Sequence, residues 1–134
     1  MSLRAIPLLV ISFILYNVIV MSVGREGLDT ALFSPHMLSG GDWSFRWGDL
    51  IMLVTLVLLF IEIVKSTFTS TSTLIDHALS MVVFIAMGTE FLLVPQAATS
   101  TFFLILVAAL IDVIAGYTIG IRVARRDLSI GGDQ

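Results

Sequence analysis

Glu62, Asp76, His77, Glu90 and Asp112 are ionisable side chains that stand within or at the ends of long apolar runs in this chain. A charge surrounded by hydrocarbon is costly, so each of these groups needs a partner or a task. A carboxylate in such a place can make a structural hydrogen bond, or it can load and release a proton or a cation. Asp112 is the most deeply placed, roughly 16 Å from Val123 at ~1.5 Å of helix rise per residue. The same count puts Asn17 roughly 18 Å from Ala5 and Thr55 roughly 15 Å from Lys65. In a hydrocarbon core ~30 Å thick these depths coincide, so Asn17, Thr55 and Asp112 are expected to form a midplane polar layer.

Asp112 belongs to a second pattern. Ala108, Asp112, Gly116 and Gly120 recur every four residues, and such a small-residue stripe lets another helix approach closely. The stripe therefore predicts a helix contact, within the chain or between chains. A third group gathers near one end of the runs. Glu62 precedes Lys65 by three residues, a spacing that allows an ion pair. Asp76, beside His77, opens a helix, where a carboxylate satisfies free N–H groups and the dipole. Pairing and capping account for Glu62, Lys65, Asp76 and His77. The alternative is a small site for a metal or a partner's charge. Glu90 lies about a turn before Pro95, with Arg25 or Arg46 as its expected partner.

Other chemistry is poorly supplied. The chain has no cysteine and only two histidines, His36 and His77, so thiol chemistry is excluded and no metal site is expected. No nucleophile and base have a spacing that predicts an encounter, so neither a catalytic residue, an enzyme activity nor a cofactor is expected. Seven basic residues without a cluster give no nucleic-acid footprint.

The elements that must position these residues follow from composition. Hydrophobic residues make up 57% of the 134 and charged residues only 13%, against about 25% charged in soluble domains. Mean hydropathy is +1.05. Much of the surface must therefore face lipid. Four apolar segments, about residues 5–23, 48–65, 74–95 and 100–123, predict an all-α integral membrane four-helix bundle in a single domain. Arg4 and Ser22-Val23-Gly24 imitate a signal peptide, but the first apolar run exceeds the usual ~7–15 residues and is read as an anchor.

Arg4, Lys65, Arg122, Arg125 and Arg126 fall on one side, whereas Arg25 and Arg46 on the other are diluted by Glu26, Asp29, Asp42 and Asp49. Both termini are therefore expected to be cytoplasmic. Short turns predict that helices 2 and 3, and 3 and 4, are neighbours. In the long outer loop, Leu28, Ala31, Leu32 and Phe33 share a helical face and can form a short interfacial helix before Pro35. Trp43, Phe45 and Trp47 mark the outer membrane interface. The tail 124–134, with Gly131-Gly132, is expected to be loose.

Leu32-Phe33-Ser34-Pro35, followed by Val57-Leu58-Leu59-Phe60-Ile61-Glu62-Ile63-Val64-Lys65, resembles the phosphate-starvation-inducible E family of small four-span bacterial inner-membrane proteins. The family pattern has an LF-x-P segment in the first outer loop. It also has a glutamate near the cytoplasmic end of the second span, matching Glu62, with Lys65 after it. Members often carry a basic residue near the end of the third span, where this chain has Thr89-Glu90. The resemblance implies a multi-pass inner-membrane protein and no established reaction. Together these features favour a non-enzymatic subunit or accessory partner of a larger membrane complex. It would meet the lipid bilayer and other membrane subunits, or a second copy through helix 4. The alternative is a small oligomeric proton- or cation-coupled transporter or channel using Asp112 or Glu62.

Overall fold

The computed structural model describes residues 6–67 and 73–132. Arg4 and Ala5, residues 68–72, the side chain of Arg126, and Asp133 and Gln134 lie outside the described residues. Four α-helices carry the fold: α1 Leu9–Val23, α2 Trp47–Lys65, α3 Thr73–Leu93 and α4 Ser100–Gly132. Three of them, α2, α3 and α4, are long and apolar enough to cross a membrane. The first helix is shorter than its apolar run predicts, with 15 residues. Pro7 explains its late start, because the residue before a proline is disfavoured in helical conformation.

The other ends have local causes. The Arg46 backbone N–H donates to Asp49 Oδ2 at 3.0 Å, closing the first turn of α2, and Lys65 complements the dipole at its end. Val94, preceding Pro95, is extended and stops α3. A 3-10 turn, Pro95–Ala97, leads to Thr99, whose Oγ1 accepts the Phe102 N–H at 3.1 Å as an N-cap for α4. That helix does not end at residue 123. It runs on to Gly132, through the stretch expected to be loose, since no proline or glycine interrupts residues 121–130.

The packing differs from the expected order. Among the described residues α3 packs on α4 and α4 on α2, while α2 and α3 make little contact despite their short connection. The fourth helix is the hub, because Ala108, Ala109 and Gly116 leave its backbone accessible to neighbours on two sides. The first helix runs antiparallel to α2 and also touches α4. Phe102 is fully buried at the centre, its ring 4.9 Å from that of Tyr16 and 6.1 Å from that of Phe91.

The loop between α1 and α2 does not form the expected interfacial α-helix. A 3-10 turn, Arg25–Asp29, buries Leu28 against the bundle. Strands β1 Ala31–Phe33 and β2 Phe45–Arg46 then pair antiparallel, with Ala31 opposite Arg46 and Phe33 opposite Phe45. A lone bridge between His36 and Asp42 extends the hairpin towards its tip. Too few residues lie between Thr30 and Pro35 to repay helix nucleation, and the aromatic pair favours the pleated arrangement.

Candidate functional site inside the bundle

The polar side chains inside the bundle are distributed over three levels, and the expected single layer of Asn17, Thr55 and Asp112 does not form. At the outer level, the Tyr16 hydroxyl donates to the Gln96 carbonyl at 2.7 Å and lies 2.7 Å from Thr99 Oγ1. Beside it, Asn17 Nδ2 donates to Glu90 Oε2 at 3.2 Å and to the Phe13 carbonyl at 2.9 Å. Glu90 thus meets an amide of α1 where Arg25 or Arg46 was expected. At the middle level, the Thr55 hydroxyl meets Ser12 Oγ at 2.9 Å and the Ile51 carbonyl at 2.7 Å, with both side chains fully buried. The depth count failed because its reference points were not the helix ends: α1 starts after Pro7, and α4 continues beyond Val123.

The inner level collects Glu62, Lys65, Ser66, His77, Ser80 and Asp112. Glu62 Oε1 accepts the backbone N–H of Leu8 at 2.8 Å and the Lys65 ammonium at 3.1 Å. The expected pair is present, and it has a second use: Glu62 satisfies a free N–H at the start of α1. The Asp112 carboxylate is buried in the neighbourhood of Ser80, Glu62 and Lys65. Glu62, Ser80 and Asp112 are all buried.

The small-residue stripe receives a side chain of the same chain. A Cβ added at Gly116 would lie 2.9 Å from His77 Nδ1, and one at Gly120 would lie 2.7 Å from His77 Nε2. The imidazole therefore rests across both glycines, with the Tyr117 ring 4.8 Å away. Two buried atoms at this level, His77 Nε2 and Asp76 Oδ1, have no hydrogen-bond partner among the described residues. Among the described residues no three His, Asp or Glu side chains converge in a way that would hold a metal ion.

Chemically, the outer and middle levels are staples, worth roughly 0.6–2 kcal/mol per interhelical hydrogen bond in a membrane. The inner level differs: a buried Glu62–Lys65 ion pair and the buried Asp112 carboxylate lie at the same end of the bundle as His77 Nε2, which has no hydrogen-bond partner among the described residues. Ser12, Ser80 and Thr99 were not singled out from the sequence. Ser12 and Tyr16 at i,i+4 on α1 were the available signal, whereas Ser80 and Thr99 gain meaning only from partners on other elements. Of the aromatics expected at the membrane interface, Trp43 and Phe45 gather with Phe33 on the hairpin, and the backbone N–H of Trp47 donates to the Thr30 carbonyl at 3.2 Å where α2 begins. Comparison with known proteins adds no assignment: no family model, no curated protein and no solved structure matches the chain.

Proposed function

We propose that this chain is a four-span protein of a bacterial inner membrane with both termini cytoplasmic, and that it is a non-enzymatic accessory subunit of a larger membrane assembly. The four-span reading is supported by the reach of α1. Leu8, just before its first residue, bonds Glu62 near the inner end of α2, and beyond its last residue Leu28 packs against Gly48 at the outer end. The likeness to the phosphate-starvation-inducible E family is part of the same proposal and bears on topology.

The observation that carries the subunit reading is the outward face of α3. Ile75, Ala78, Val82, Ile85, Thr89 and Leu92 are all exposed and recur at alternating spacings of three and four, the pattern of a helix–helix seam. Thr89 bonds back to the Ile85 carbonyl at 2.8 Å, so the face carries no unsatisfied hydroxyl. This helix buries 17% of its spanning residues inside the chain, against 39% for α4. With the glycines of α4 covered by His77, the docking face for a partner subunit moves from helix 4 to α3. Native-mass measurement after gentle solubilisation tests this. Co-migration with a larger assembly, lost on Ala78→Trp, is the expected result; a lone chain or a closed homo-oligomer overturns it.

A second reading is favoured by the inner cluster. Asp112 and Glu62 would serve as coupling carboxylates of a small proton or cation transporter, with His77 on the cytoplasmic side. Proton or cation flux in vesicles that vanishes in a folded Asp112→Asn protein would establish it in place of the first.

A further inference from the structure

The outer hairpin has few places to hide its apolar side chains. Residues 31–43 are exposed throughout, and they include Leu32, Phe33, Met37, Leu38 and Trp43. Leu38, at the tip, is fully exposed. On the strands, Phe33 stacks on Phe45 with ring centroids 4.9 Å apart, and Trp43 stands edge-on to both. A two-stranded hairpin is marginal in water, and this one also exposes a contiguous aromatic cluster.

Three features identify what covers it. First, β2 ends at Arg46 and α2 begins at Trp47, with no intervening residue, so the hairpin grows directly from a helix long enough to cross the bilayer. Second, it carries little charge: Asp42, whose Oδ1 lies 2.7 Å from His36 Nδ1 at the bridge near the tip, and Arg46 at the root are the Asp/Glu/Lys/Arg side chains of residues 31–46. Third, dimensions disfavour an upright hairpin. From Ala31 to Leu38 the chain spans roughly 23 Å at ~3.3 Å per residue, several times the ~6 Å of one headgroup layer. Only a hairpin lying along the surface keeps these side chains out of water.

We infer that the hairpin 31–46 is a membrane-surface anchor. Its aromatic cluster and its Met37–Leu38 tip lie in the headgroup–acyl boundary of the outer leaflet, with Arg46 available to lipid phosphates. The inference rests on α2 crossing the bilayer, and the test separates the two claims. The full chain carrying Trp47→Phe, which leaves Trp43 as its only tryptophan, is placed in phosphatidylcholine–phosphatidylglycerol vesicles. Lipids brominated near the top of the acyl chain should quench Trp43 at least twofold more strongly than aqueous iodide does. The companion Trp43→Phe protein reports Trp47 at the edge of the span, and its quenching by the same lipids shows that α2 is inserted. Leu38→Asp should weaken lipid quenching of Trp43 and leave that of Trp47 unchanged. Strong iodide quenching of Trp43 beside normal Trp47 behaviour overturns the anchor. Protection of Trp43 from both quenchers also overturns it and points to a protein partner. Failure of the lipids to quench Trp47 overturns the span itself.

Discussion

Replacing Gly120 by alanine gives the most direct test of how α3 and α4 are joined. The added methyl would sit 2.7 Å from His77 Nε2, well inside the ordinary contact range of 3.4–4 Å. The ring has little room to retreat, because its other edge lies against Gly116 and Tyr117 is packed beside it. Overpacking of this kind costs about 1–3 kcal/mol. Alanine also favours a helix over glycine by about 1 kcal/mol, so the net loss is about 0–2 kcal/mol. The clash is with a side chain and not with backbone, which makes it removable. In a His77→Ala background the close contact is gone, and Gly120→Ala should stabilise by about 1 kcal/mol. The double-mutant cycle, read by thermal unfolding of the four proteins in detergent, should therefore show coupling of about 1–3 kcal/mol. An equal effect of Gly120→Ala in both backgrounds would mean that His77 does not occupy the stripe, and the α3–α4 arrangement would be wrong.

Other expectations are simpler. Asp112→Asn should be tolerated, because the amide keeps the size and polarity of the buried carboxylate; Asp112→Leu should cost about 1–3 kcal/mol by leaving the buried polar groups beside it without a polar neighbour, as seen by the same unfolding measurement. Tyr16→Phe removes the hydroxyl that joins α1 to Gln96 and Thr99, and a loss of about 1–2 kcal/mol is expected; an unchanged unfolding temperature would discount those contacts. Reporter fusions at Gln134 should read cytoplasmic and at Ser39 external; an external Gln134 would remove the four-span topology.

What was legible in the sequence was local. The apolar runs announce helices because the lack of charge and the length of each run are properties of contiguous residues, and Pro95 stops α3 by its own geometry. Glu62 and Lys65, one turn apart, could be paired from spacing alone, and they pair at 3.1 Å. The stripe Ala108, Asp112, Gly116 and Gly120 announced a helix contact through its periodicity, but nothing in the pattern names a histidine of α3 as its occupant. Tertiary structure alone decided the rest. Asn17 reaches Glu90 across 73 residues of chain, Leu8 reaches Glu62 across 54, and Tyr16 reaches Thr99 across 83. Such partners depend on the relative height of two helices, and a shift of one turn exchanges every partner. Depth counts fail for the same reason, since a helix that starts four residues late or continues past its apolar run displaces all its polar groups. The hairpin was hidden because Phe33 and Phe45 become strand residues only by pairing with each other. In an apolar chain the spans are written residue by residue, whereas their register is a collective property of side chains that meet only after the helices have packed.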